Sequence, residues 1–134
     1  MILLIAFSSS SIFANENVVF RGIPEIKVSE GGVSRVAEKL TQDQAGEYQC
    51  TITQMNEKFY WATRDNVELI PLDSGAFVTF LAINGSGYIR VVKPEMKEIV
   101  KKVGALANDP EEKFDYVEHL MLGLKSITYY GRTN

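Results

Sequence analysis

Between Glu47 and Val92 the chain repeats one pattern five times: a short apolar or alternating run, then a polar turn. Tyr48, Cys50 and Ile52 alternate with Glu47, Gln49, Thr51 and Thr53, the period of a strand with one face on a core and one in water. Asn56-Glu57 marks a turn into Lys58–Thr63, where Phe59, Tyr60 and Trp61 suit a pleated surface. Arg64-Asp65-Asn66 reads as a second turn, Val67–Ile70 as a third strand and Pro71–Gly75 as a third turn. Ala76–Ile83 is apolar on both faces apart from Thr79, as in a strand covered on both sides. Asn84-Gly85-Ser86-Gly87 is the sharpest turn signal, because Gly and Asn tolerate the positive φ that tight hairpins demand. Tyr88–Val92 returns as its partner. The region is an expected antiparallel meander of about five strands.

The flanks read differently. Val18-Val19-Phe20 and Ile26-Lys27-Val28 are short extended segments around a Gly22-Ile23-Pro24 turn. Val33, Val36, Ala37 and Leu40 fall at i, i+3, i+4 and i+7, which predicts a short amphipathic helix ending near Thr41. Met96, Ile99, Val100 and Val103 repeat that spacing after Pro94, with Gly104 as a stop. Asn108-Asp109-Pro110-Glu111-Glu112 has the composition of a helix start, and Phe114, Val117, Leu120, Met121 and Leu124 would line one side of the helix that follows. Lys125–Tyr130 reads as a last strand. The expected fold class is α+β: an antiparallel meander of about five strands with amphipathic helices packed on one face.

Ahead of this domain, residues 1–14 form an uncharged run that ends on Ala14, just before the polar Asn15-Glu16-Asn17. That is the grading of a secretory signal peptide, and it is too short for a membrane span. The expectation is a single α+β domain over residues 15–134, periplasmic or secreted, with no membrane insertion after processing. One cysteine, Cys50, closes no intrachain disulfide and supports no multi-thiolate metal framework. With a net charge of −3 and acids and bases interspersed without a long run of either sign, nothing in the sequence attracts nucleic acid or an anionic membrane.

Candidate chemistry is sparse. His119, the only histidine, would need a carboxylate such as Asp115 or Glu118 and a nucleophile from another element. No Gly-x-Ser-x-Gly elbow is present, and a helical His119 would sit on a solvated face. Cys50 lies on the core face of its strand and behaves there as an inert small hydrophobe. Carboxylates lack metal-ligand spacing, so no metal or cofactor is expected. What remains is Tyr60 with Arg64 and Tyr88 with Arg90, aromatic and arginine pairs at period two of the kind enriched in binding hot spots. The sequence reading is an exported binding or interaction module whose partner is a protein or a cell-envelope component, with those four residues as its surface. The alternative is a hydrolase-type enzyme using His119.

Overall fold

The computed structural model describes residues 17–107 and 113–133. Its architecture is a closed antiparallel β-barrel. The strands run in chain order: β1 (Asn17–Gly31), β2 (Ser34–Lys39), β3 (Cys50–Met55), β4 (Lys58–Trp61), β5 (Val67–Ser74), β6 (Phe77–Ala82), β7 (Gly87–Val92), β8 (Tyr116–Leu122) and β9 (Lys125–Thr133). Each of β3 to β9 pairs with its neighbour, and β1 pairs with both β3 and β9, which closes an eight-stranded ring. The ninth strand, β2, lies outside the ring as a hairpin partner of Ile26–Gly31. Closure removes the exposed edges that an open sheet would leave.

β1 manages the seam because it bends. Its first part, Asn17–Gly22, pairs with β3, and Gly22–Gly31 pairs with β9; register shifts fall at Val18/Phe20 and at Pro24/Ile26. Bulges of this kind turn one long strand around a barrel corner. Pro24 sits beside the second shift, where a missing N–H does least harm to the ladder. The Gly22-Ile23-Pro24 segment is therefore a bend within one strand, and the two short extended segments are continuous.

The α+β expectation is wrong, and two helix assignments carry the error. Residues 34–39 form β2, preceded by a turn with Gly32 at φ 59°. Every residue of β2 is exposed, so Val36 and Ala37 are buried by nothing and only Leu40 of the expected stripe is buried; β1 pairs with this strand along its whole length. A six-residue helix, α1 (Gln42–Glu47), follows, started by a reciprocal cap between Thr41 and Gln44. Residues 116–133 are the β8–β9 hairpin, turned at Gly123. Val117, Leu120 and Met121 belong to a strand covered in part on both faces, where a period of two is blurred and helical spacing arises by coincidence. The proposed helix start at 108–112 and the leader 1–14 lie outside the described residues. The meander does not stop at five strands under packed helices; it continues through β8 and β9 until it meets β1.

Only α2 (Lys97–Leu106) is a helix of appreciable length among the described residues, entered through a 3-10 turn at Pro94–Met96. It buries Val100 and Gly104. The barrel interior is the core: Phe20, Cys50, Ile52, Trp61, Leu69, Phe80, Ala82, Ile89 and Tyr116 form one cluster. Glycines make room for the largest of these side chains. A Cβ on Gly22 or Gly131 would run into the Tyr116 ring, and one on Gly87 would meet the backbone of His119 and the tip of Trp61.

Candidate functional site

Inward-facing positions alternate along each strand, so the contents of the barrel can be read from one end to the other. From the end bearing the Asn56-Glu57 turn, β4 points Phe59 and then Trp61 inward, β6 points Val78, Phe80 and Ala82, and β7 points Val91, Ile89 and Gly87. The far part of this interior is filled. The near part is a cup of about 420 Å³, lined by Phe20, Phe59, Val78, Phe80 and Val91, with Arg21 and Lys97 at its rim. Phe59 and Phe80 meet edge to face at 5.4 Å across its wall. Pro94 and Lys97, leading into α2, form one side of the mouth.

Lys97 is already engaged: its Nζ donates to Thr133 Oγ1 at 2.8 Å and lies 3.6 Å from the Asp115 carboxylate. Arg21 has no ion-pair partner among the described residues and is exposed. Among the described residues, the cup thus has an apolar body and one uncommitted cation at its lip.

A polar plug closes the opposite end. Glu118 is fully buried, and its carboxylate accepts from Trp61 Nε1 at 2.7 Å and from Arg64 Nη2 at 3.3 Å. The Cys50 thiol lies close enough to the same carboxylate to influence its titration. Arg64 reaches it because Asp65 and Asn66 both adopt positive φ, which folds the β4–β5 turn back over the barrel end. The guanidinium also lies 5.8 Å from the Tyr129 ring centroid, and the Tyr48 ring packs tilted against Tyr129 at 5.3 Å.

Burial governs the titration of this group. Loss of solvent raises the Glu118 pKa above the usual carboxylate range, although Arg64, Trp61 and Cys50 all favour the charged form. Burial, and then the neighbouring Glu118, pushes the Cys50 thiol well above its ordinary value. Tyr129 is raised to about 12, again chiefly by burial. The Tyr116 hydroxyl is buried with no hydrogen-bond partner among the described residues, and burial raises its pKa too.

Cys50 therefore has almost no thiolate at neutral pH and no solvent path. Native protein should react with a thiol reagent at least about 100-fold more slowly than urea-unfolded protein, as expected when reaction waits on opening of the core. Stopped-flow thiol assays measure this directly, and equal rates would contradict the inward placement of Cys50.

The four sequence-selected residues do not form one surface. Tyr60 faces outward on β4, opposite in sense to Phe59 and Trp61, while Arg64 turns into the plug. Tyr88 and Arg90 face outward on β7, with β5 and β6 between them and Tyr60. Arg90 stacks on Phe77 at 3.7 Å, and Tyr88 stacks on His119 at 5.1 Å. Tyr88, Arg90, His119 and Tyr130 share a shallow outer depression of about 260 Å³ with Glu30.

His119 is on a strand, its Nδ1 2.9 Å from Thr128 Oγ1. Neither suggested carboxylate is placed to act on it. Glu118 points to the opposite side of β8, and Asp115 accepts from the Thr133 backbone N–H and hydroxyl at 3.1 and 3.2 Å. Among the described residues no group of three or more His, Cys, Asp or Glu side chains could hold a metal ion. Comparison with protein-family models, curated proteins and solved structures finds no match.

The sequence reading offered Glu118 only as a carboxylate for His119, not as the buried acceptor of Trp61 and Arg64, and it missed the cup. A signal for the cup did exist, since Phe59, Val78, Phe80 and Val91 all occupy one parity of their strands. Recognising that they enclose a space required the closure of β1 on β9.

Proposed function

We propose that this protein is a binding barrel that takes one small apolar molecule, bearing a single anionic group, into the cup at the Arg21 end. The cup itself carries the reading. An eight-stranded barrel has an interior that side chains can fill or that can hold one small ligand, and this one is filled at one end only. Its volume of about 420 Å³ falls within the range of about 300–1,000 Å³ usual for small-molecule sites, which are apolar with a few polar groups fixing orientation. Arg21 at the lip supplies that polar group, and it matches an anion rather than a neutral head because no acid among the described residues pairs with it.

The four outward or plug-directed residues of the sequence reading do not support a protein-binding face as well. Arg64 is spent on Glu118, and Arg90 on Phe77. His119 lacks a carboxylate partner among the described residues, which leaves the hydrolase alternative without a supporting geometry.

The test is titration of the full chain with anilinonaphthalene sulfonate, a dye with an apolar body and one anionic group. Saturable binding at one site per chain is expected, with affinity lowered about tenfold or more by Val91→Trp, which fills the cup. Arg21→Ala should weaken binding by a smaller factor and make it less sensitive to salt. Circular dichroism confirms that Val91→Trp remains folded. Undiminished dye affinity in folded Val91→Trp would exclude the cup as the site.

A further inference from the structure

The outside of a barrel is convex, yet on this one β9 forms the bottom of a trough. Its outward positions Ser126 and Thr128 carry small side chains and lie between larger outward neighbours, Glu30 on β1 and Met121 and His119 on β8. Thr128 is only 7% exposed although it faces away from the core. Two depressions follow the trough and share Glu30 and His119. One, of about 300 Å³, runs between the β1–β2 turn at Gly32 and the β8–β9 turn at Gly123; the other, of about 260 Å³, reaches Tyr88 and Arg90.

The polar groups of the trough are held in place and left with bonding capacity. Thr128 Oγ1 meets His119 Nδ1 at 2.9 Å and Tyr88 stacks on the same imidazole, so that ring is fixed while its Nε2 has no partner among the described residues. Arg90 sits over the Phe77 ring, a contact that uses the face of the guanidinium and leaves its in-plane N–H donors. Charge then narrows the ligand. Glu30 belongs to both depressions, Lys125 to one and Arg90 to the other, and none of the three is in an ion pair among the described residues. An anionic chain would meet the Glu30 carboxylate at the junction, and a cationic chain would meet a cation in each depression. A neutral ligand whose groups both donate and accept meets neither obstacle, and hydroxyl groups do both. An extended peptide would need a free strand edge for its backbone, whereas β7, β8, β9 and the Ile26–Gly31 part of β1 are paired on both edges. Two depressions of similar size end to end suit repeated rings, and the half-buried Tyr88 and Tyr130 offer apolar surface to the C–H face of one of them.

We propose that the trough on β9 is a second binding site, which takes a neutral saccharide chain of at least two rings, one in each depression, with Glu30 and His119 at the junction. It lies on the outer face of the barrel wall and shares no residue with the cup, so the two sites can fail separately.

His119 is the only histidine, so its imidazole gives one side-chain resonance that reports on the junction. The full chain is titrated at fixed pH with maltotriose, cellotriose and chitotriose. At least one of them should move that resonance saturably, with affinity about tenfold or more above that of its own monosaccharide, because two linked rings engage two subsites. Ser126→Trp, which fills the trough from its floor, and Tyr88→Ala, which removes an aromatic wall, should each lower that affinity about tenfold or more. Both positions face outward, so circular dichroism and dye binding in the cup should be unchanged. No response to any of the three trisaccharides, or undiminished affinity in either folded variant, would overturn the site. A trisaccharide that binds no more tightly than its monosaccharide would overturn the two-ring arrangement. Tetra-aspartate binding more tightly than every trisaccharide would overturn the saccharide assignment in favour of an acidic peptide. Loss of dye binding with the saccharide response intact would count against the cup alone.

Discussion

Gly131→Ala is expected to cost about 4 kcal/mol or more in unfolding free energy, at the upper end for a single substitution. Gly131 stands where the barrel closes, paired with Pro24 on β1 and with Tyr116 on β8. A methyl group there would meet the Ile23 carbonyl oxygen, the Pro24 Cα at 2.7 Å and the Tyr116 ring at 2.7 Å. Two of these neighbours are backbone, so no change of rotamer relieves the clash; β1 must move away from β9, which opens the ring. The exposed Arg132–Glu25 ion pair across the same seam cannot hold it, because surface pairs contribute at most about 1 kcal/mol. An opened seam exposes two strand edges, so aggregation on urea or thermal unfolding should accompany the loss. Gly46→Ala is the control. Gly46 lies inside α1, at negative φ, with nothing within 4 Å of an added methyl, and the change should stabilise by about 0.4–1 kcal/mol. Urea unfolding of both variants measures the contrast, and similar stabilities would mean that the seam does not hold the barrel shut.

The seam also marks the limit of what the sequence makes legible. Turn chemistry is local, and Asn56, Asp65-Asn66 and Gly85 adopt the positive φ that their residue types tolerate, with Glu57 carried along at φ 70° against its own preference. The strands those turns separate are legible from alternation and β-favouring residues, except that β5 runs on through Pro71–Ser74, which the sequence reading took as a turn. Closure is non-local. It depends on Gly22 and Gly131, more than a hundred positions apart, both vacating space for Tyr116, and no periodicity records such a pairing. Helical spacing does not settle the element either, because each stripe has one buried member, Leu40 in 33–40 and Val100 in 97–106, yet the first segment pairs with β1 and the second forms a helix. For the site, Trp61 and Glu118 lie 57 positions apart, and nothing around Glu118 in Tyr116–Leu122 distinguishes it from a solvated acid. Its partner Arg64 reads from the sequence as a surface residue of a turn. Only the sense of the β4–β5 turn aims it inward.

Trp61→Ala is the second large effect, and its size should depend on pH. Removing the buried indole costs about 3–5 kcal/mol for the cavity. Loss of the Nε1 donor adds about 1–3 kcal/mol when the acceptor is the ionised Glu118. In the native barrel, burial raises the Glu118 pKa, so between the ordinary carboxylate range and that raised value the folded chain holds a proton that the unfolded chain has released. Stability from this group is therefore greatest below the ordinary range and declines as pH rises through the window, then levels off above the folded pKa. Trp61 hydrogen-bonds the charged form, so its removal raises the Glu118 pKa further and extends the decline to higher pH. The deficit of Trp61→Ala relative to the native chain should thus be larger at about pH 8 than at about pH 5. Glu118→Gln, which cannot ionise, should abolish this component of the pH slope and, combined with Trp61→Ala, leave a deficit independent of pH. Urea unfolding across that range supplies the measurement. A Trp61→Ala deficit that is the same at both pH values with Glu118 present would show that the indole serves only to fill space, and that Arg64 and Cys50 alone hold the buried carboxylate.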